Sequence, residues 1–288
     1  MPDPSDIIAG LGCWSGRVTI APLAGGLTNR NYRVEDAAGV HVVRLGADIP
    51  HHHILRFNEL AASRAAAAAG ISPEVEHAEP GILVTRFVEG ETLTPGRVRQ
   101  EAPRVLALVR RVHTEMPAHL RGPVLAFWVF HVLRDYAHAL AGRRPEAELA
   151  DLLGRAPRLE AAVGPVELVF SHNDLLAANF IDDGRRLWLV DWDYAGFNSP
   201  LFDLGGLASN NGFSPAEEAA MLEAYFGAPA SADLRRRYAA MKTASLLREA
   251  MWSMVSEIHS TLDFDYAAYT DDNLQRFERA WGDFRRMP

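Results

Sequence analysis

Apolar and polar residues alternate in three short runs between Val18 and Leu45: Val18-Thr-Ile-Ala-Pro-Leu, then Asn31-Tyr-Arg-Val-Glu, then His41-Val-Val-Arg-Leu. A period of two turns one side of each run toward a core, and Gly25-Gly26 and Asp36-Ala-Ala-Gly39 interrupt the runs as turns. Three antiparallel strands are expected. His53 to Ala69 is rich in Leu, Glu and Ala, has no internal proline and is followed by Gly70. That composition predicts a helix closed by a glycine in the left-handed conformation. Two more strands are expected around Pro80-Gly81, at Glu74-Val-Glu-His and Ile82-Leu-Val-Thr-Arg-Phe-Val.

Past Glu89-Gly90-Glu91 the period changes to that of helices, at about 98 to 114, 125 to 142, 146 to 162, 215 to 226, 232 to 259 and 266 to 284. One β island interrupts them: Glu167-Leu-Val-Phe170, Asn179-Phe-Ile-Asp182 and Arg186-Leu-Trp-Leu-Val190, joined by the polar loop Ser171 to Ala178 and the turn Asp182-Asp-Gly184. The fold class is therefore α+β in two lobes, a small β-rich lobe over 1–89 and a larger, mainly helical lobe over 90–288. Gly90 is the candidate hinge.

With 288 residues, 48% of them hydrophobic, the chain can bury proper cores, which excludes disorder as the whole answer. Its 37 acidic residues outnumber 29 basic ones, a sign that repels a polyphosphate backbone and excludes nucleic acid as the expected partner. Cys13 is the single cysteine, and the start lacks the basic and apolar regions of a signal peptide. No apolar run approaches the roughly 20 residues of a membrane span. A cytoplasmic protein is expected, with no membrane partner and an oligomeric state left open.

Carboxylates and amides crowd the β island: His172-Asn173-Asp174, Asn179 and Asp191-Trp192-Asp193 border apolar strands. Taken singly these are ordinary turn and cap residues. Together they read H-x-D-x-x-x-x-N, followed by an aspartate that closes Leu187-Trp-Leu-Val190. Asn179 and Asp191 suit Mg²⁺, which takes one or two carboxylates beside phosphate oxygens and water. Asp174 could accept the proton of an attacking hydroxyl, which outlines a phosphoryl-transfer site.

Gly25-Gly-Leu-Thr-Asn-Arg-Asn-Tyr32, His172-Asn-Asp-Leu-Leu-Ala-Ala-Asn179 and Leu189-Val-Asp-Trp-Asp-Tyr-Ala-Gly-Phe-Asn-Ser-Pro-Leu-Phe-Asp-Leu204 resemble the choline and ethanolamine kinase family, within the wider aminoglycoside phosphotransferase and protein-kinase-like fold. The resemblance implies a two-lobed kinase fold with ATP in the cleft, Asp174 as catalytic base, and Asn179 and Asp191 holding Mg²⁺. It makes Gly25, Gly26, Thr28 and Asn29 a phosphate loop, a segment whose own residues would equally suit a plain hairpin turn. Arg44 falls where kinase-like folds place a phosphate-binding cation, with Glu59 as its partner, and Phe87-Val88 falls on the interlobe strand beside adenine. Trp252 and Tyr266 match the family's aromatic acceptor segment, and Asp193 is expected to face the acceptor. Glu249 stands where many eukaryotic relatives carry another tryptophan, and could either pair with the neighbours of Arg248 or supply a charge partner for a primary ammonium.

The expected activity is ATP-dependent phosphorylation of choline or a related amino alcohol such as ethanolamine. The alternatives are a same-fold kinase for thiamine, an aminoglycoside, homoserine or a sugar, a non-catalytic nucleotide-binding module, or a metal-dependent phosphoester hydrolase. Asp203 is expected to order the catalytic loop or cap the helix beginning at Pro200. His51-His-His53 would need a shared face to bind metal, which adjacent residues do not have.

Overall fold

The computed structural model describes residues 3–23 and 29–287. β1 (Thr19–Leu23), β2 (Arg30–Glu35), β3 (Val40–Leu45), β4 (Val75–Glu79) and β5 (Ile82–Arg86) form one antiparallel sheet in the order β1-β2-β3-β5-β4. The central strand β3 holds Arg44 opposite Asn31 on one side and Leu83 on the other. A short helix α1 (Pro4–Ala9), capped by Asp3, adds Ile8 to the small core of Val34, Val43 and Val84. One buried apolar residue in six gives no period to read, which is why the sequence pattern misses it.

Helix α2 (Arg56–Ala68) starts later than expected, because Pro50–His52 forms a 3₁₀ turn ended by His53 at φ 62°. Gly70 closes the helix region at φ +66°, as its place in the sequence predicts. Ala62, Ala65 and Ala66 of α2 join the large core of the helical lobe rather than the small core under the sheet. Their short side chains let the two lobes approach closely, so α2 is the joint on which the cleft is built.

Gly90 lies between β5 and the next strand. Immediately after it, β6 (Glu91–Thr92) pairs with β8 (Phe180–Asp182), which pairs with β9 (Leu187–Leu189). A Cβ on Gly90 would lie 2.6 Å from the Asp182 carbonyl oxygen and 2.9 Å from Ile181 Cγ2. Gly90→Ala is expected to lower the unfolding free energy by about 1–3 kcal/mol, read from urea denaturation, because backbone cannot give way as a side-chain tip can.

The expected β island resolves into two sheets. β7 (Val169–Ser171) pairs not with β8 but with β10 (Gly196–Asn198), a three-residue strand too short to announce itself in sequence. The first helical run divides into α3 (Pro95–Gln100) and α4 (Ala102–Thr114), since Pro103 at the start of α4 has no N–H to continue a helix. α5 (Val129–Leu140), α6 (Glu146–Val163), α8 (Pro215–Phe226), α9 (Ala232–His259) and α10 (Tyr266–Arg286) follow the expected pattern. α7 (Pro200–Asn211) is buried on nearly every side, so it lacks the amphipathic stripe that marks the others. Among the described residues no helix is long and apolar enough to cross a membrane.

Candidate active site

The loop between β7 and β8 carries Asp174, and it is held from behind by one buried carboxylate. Asp203, on the first turn of α7 and 1% exposed, accepts hydrogen bonds from the backbone N–H of His172 at 2.9 Å and of Asn173 at 2.7 Å. His113 Nε2 of α4 lies 2.9 Å from the same carboxylate. Burial pushes the Asp203 carboxyl up, but His113 and the loop amide of His172 outweigh it and hold it below the usual range. Asn173 takes the left-handed conformation at φ 66°, tolerable for an amide whose Nδ2 donates to Tyr194 O at 2.8 Å and whose Oδ1 accepts from Asn198 at 2.8 Å. His172 Nε2 meets Val190 O at 3.0 Å.

This frame brings three groups together. Asn179 donates its amide N–H to Asp174 O at 2.9 Å, and Val190 N–H donates to Asn179 O at 3.0 Å, just before Asp191 turns at φ 72°. With its nitrogen used toward the loop, Asn179 has an oxygen to offer a cation, and the Asp191 side chain is 25% exposed on the same cleft. One carboxylate and one amide oxygen fit the hard-oxygen donor set of Mg²⁺, with phosphate and water completing it. The Asp174 carboxyl is pushed up to about 8, first by burial and next by the charge of Glu249, with Arg248 opposing and Asp191 and Asp193 adding.

Across the cleft, Arg44 Nη1 donates to Glu59 at 2.6 Å and to Asp191 and Asp193 at 3.0 Å each. Burial would lower the Arg44 pKa, yet the carboxylates of Asp191, Glu59 and Asp193 raise it, so the guanidinium stays charged. The cleft has a volume of about 440 Å³, and Arg44, Glu59, Phe87, Val88, Asn179 and Asp191 are among its walls. A wider groove of about 840 Å³ lies beyond Phe87 and Val88 with arginines on its rim, and none of the acids of the loop reaches it.

On the helical side, Trp252 of α9 donates from Nε1 to Tyr194 OH at 2.8 Å, and its ring lies 6.1 Å from that of Tyr266. Glu249, one turn earlier, accepts from Tyr269 OH at 2.8 Å and from Arg248 Nη1 at 2.9 Å. Arg248 lays its guanidinium 4.3 Å over the Tyr194 ring.

Residues 19–240 match the model of the phosphotransferase enzyme family, known as APH. The crystal structure of a choline/ethanolamine kinase family protein from Mesorhizobium loti superposes with a TM-score of 0.79 and 31% identity over 98% of this chain and 93% of that one. This chain belongs to the phosphotransferase enzyme family, in its choline/ethanolamine kinase branch. Mouse ethanolamine kinase 2 is 28% identical over 282 residues, covering 85% of this phosphotransferase and 71% of the relative. The choline kinase LicA from Streptococcus pneumoniae shares the fold at a TM-score of 0.79 with 24% identity, over 92% of this chain and 93% of its own.

In the phosphotransferase, Asn179, Asp191, Arg44 and Glu59 line one cleft, Asp174 is tied to Asn179 through its backbone carbonyl, and Glu249, Trp252 and Tyr266 gather on α9 and α10. Gly25, Gly26 and Thr28 lie outside the described residues; Asn29 donates to Asp193 at 2.9 Å. The Asp193 carboxylate, 3% exposed, meets Asn29, Arg44 and Arg56. Phe87 and Val88 line the cleft, but β5 ends at Arg86 and the segment is not a strand. The helix beginning at Pro200 is capped by Ser199, so Asp203 serves the loop alone. The three histidines diverge, His51 onto His259, His52 onto Ser256 and His53 onto Asp135.

Arg56 is a site residue that sequence reasoning passed over. Its Nη1 donates to Glu59 at 2.7 Å and Asp193 at 2.8 Å. The i,i+3 spacing to Glu59 was the available signal. His113 offered none, since Asp203 lies on another helix far along the chain.

Proposed function

We propose that this phosphotransferase moves the γ-phosphoryl group of ATP to the hydroxyl of a small amino alcohol, choline or ethanolamine, in the cytoplasm. The observation that carries the reading is the meeting of Asn179 and Asp191 with Arg44 at one cleft, with the Asp174 loop tied to Asn179. The names of the relatives support the acceptor class. Residues 1–89 would form the nucleotide lobe and 90–288 the acceptor lobe.

In this reading Asp174 receives the hydroxyl as a hydrogen-bond acceptor and takes its proton as the new O–P bond forms and the bridging bond to ADP breaks. Asp203 keeps that carboxylate in place through the loop amides, which is positioning rather than chemistry. Arg44, permanently charged, turns N–H groups to the phosphates, while Glu59, itself fixed by Arg56, holds it on the cleft wall. The family resemblance assigns Gly25, Gly26, Thr28 and Asn29 to the phosphates, and Phe87 and Val88 would flank adenine. Asn179 and Asp191 would hold Mg²⁺, which when bound neutralises phosphate charge.

The test is transfer from ATP and Mg²⁺ to choline, ethanolamine, thiamine, an aminoglycoside, homoserine and simple sugars, each with a no-acceptor control. Mass spectrometry should find a phosphate ester of choline or ethanolamine only. A phosphorylated product from one of the other acceptors alone would overturn the acceptor class.

A further inference from the structure

We infer that the acceptor pocket selects a primary over a quaternary ammonium, and that Glu249 decides this selection. The inference rests on the amino-alcohol reading above and narrows it.

Glu249 is linked to the catalytic loop through Tyr194: Asn173 donates to the Tyr194 carbonyl at 2.8 Å, and Arg248, whose guanidinium lies 4.3 Å over the Tyr194 ring, donates to Glu249 at 2.9 Å. The Glu249 charge adds to burial in pushing the Asp174 carboxyl up. The Tyr269 hydroxyl, which donates to Glu249 at 2.8 Å, also feels the Asp174 charge. The Glu249 side chain is 22% exposed, so it remains reachable. Its two oxygens offer about four acceptor positions, of which Tyr269 and Arg248 take one each.

Apart from Phe264, 39% exposed against Tyr266 and Tyr269, the aromatic surface nearby is already committed. A quaternary ammonium is recognised by aromatic faces, because it has no N–H to donate. Here the Tyr194 face carries the chain's own Arg248 guanidinium at 4.3 Å, with the Phe127 ring 5.6 Å away on the same group. Trp252 is 6% exposed, its Nε1 is bonded to Tyr194 OH, and it meets Tyr269 nearly perpendicularly, at 80°. Unused hydrogen-bond positions are offered by the carboxylate and phenol corner of Glu249 and Tyr269. A primary ammonium brings three N–H donors to that corner and forms charge-assisted bonds. A trimethylammonium would strip water from Glu249 and return no hydrogen bond, which is costly for a partly buried carboxylate.

The experiment measures kcat/KM on the full chain for ethanolamine and its mono-, di- and trimethylated forms, the last being choline. A stepwise fall totalling about 10–100-fold is expected, less than the largest discriminations known for fully enclosed hydrogen-bonding sites. Glu249→Gln should lower the ethanolamine value more than the choline value and bring the two to within about threefold, a change of ratio that general damage to the fold would not produce. Choline used as well as ethanolamine by the unaltered protein would overturn the inference whatever the variant does, as would an equal loss for both acceptors in Glu249→Gln. Transfer to none of the four would overturn the amino-alcohol reading itself, and the assignment of Glu249 with it.

Discussion

Asp174→Asn is expected to lower kcat by about 10²–10⁴-fold while leaving ATP affinity within about threefold, because the amide keeps the shape of the loop but cannot take a proton. The same substitution should stabilise the protein near neutral pH. The Asp174 carboxyl, ordinarily near 3.8, is pushed up to about 8 by burial and by Glu249. Its raised folded value means that the protonated form is the one the fold favours, so this group's contribution is intact below about pH 4 and is lost progressively up to about pH 8. The variant's advantage in Tm should therefore be absent near pH 4 and grow to about 3 °C or more by pH 8. For the unaltered enzyme, acceptor kcat/KM should climb with pH toward 8 as the base loses its proton. A variant that retained a tenth of normal turnover would remove Asp174 from the role of base.

Asp203→Ala is expected to cost about 3–5 kcal/mol of stability, because it strands two loop N–H groups and His113 without their buried acceptor. Turnover should fall about 100-fold even in the molecules that stay folded, since Asp174 would no longer be held at the distance that transfer requires. The folded Asp203 carboxyl lies below its usual 3.8, so its stabilisation is present above that value and is lost as pH falls through the lowered one. Urea unfolding at several acidic pH values should show a flatter dependence in the variant. Unchanged ATP affinity beside the fallen kcat would separate a positioning role from collapse of the cleft.

Much of the core chemistry was legible in the sequence because it is local. Asp174, Asn179 and Asp191 sit on one loop and the ends of two short strands, so their spacing and the apolar runs around them already bring them to one edge. Arg44 and Glu59 lie on adjacent elements of one lobe, and their ion pair was expected from the family resemblance and is present at 2.6 Å. The partners of Asp193 were not legible, for the opposite reason. It stands two residues from Asp191, but Trp192 between them is buried against Ser72, and the direction of the next side chain depends on which guanidinium groups wait across the cleft. Similarly, β7 was read with its neighbours in sequence, whereas it pairs with β10, and three-residue strands hold too few alternations to declare a partner.

The chain's own order of residues determined the strands of the first lobe, most of the helices of the second, the left-handed close at Gly70 and the acid-bearing loop, because each depends on periodicity and backbone preference within a few residues. Tertiary structure alone decided that α2 packs its alanines into the helical lobe, that Asp203 and His113 hold the catalytic loop from two other helices, that Asp193 meets Arg44 and Arg56, and that Glu249 meets Tyr269. These pairings join residues tens to more than a hundred positions apart, where no local pattern reports which faces will meet. They are settled only when burial of the cores brings the elements together and leaves each buried charge to find its partner.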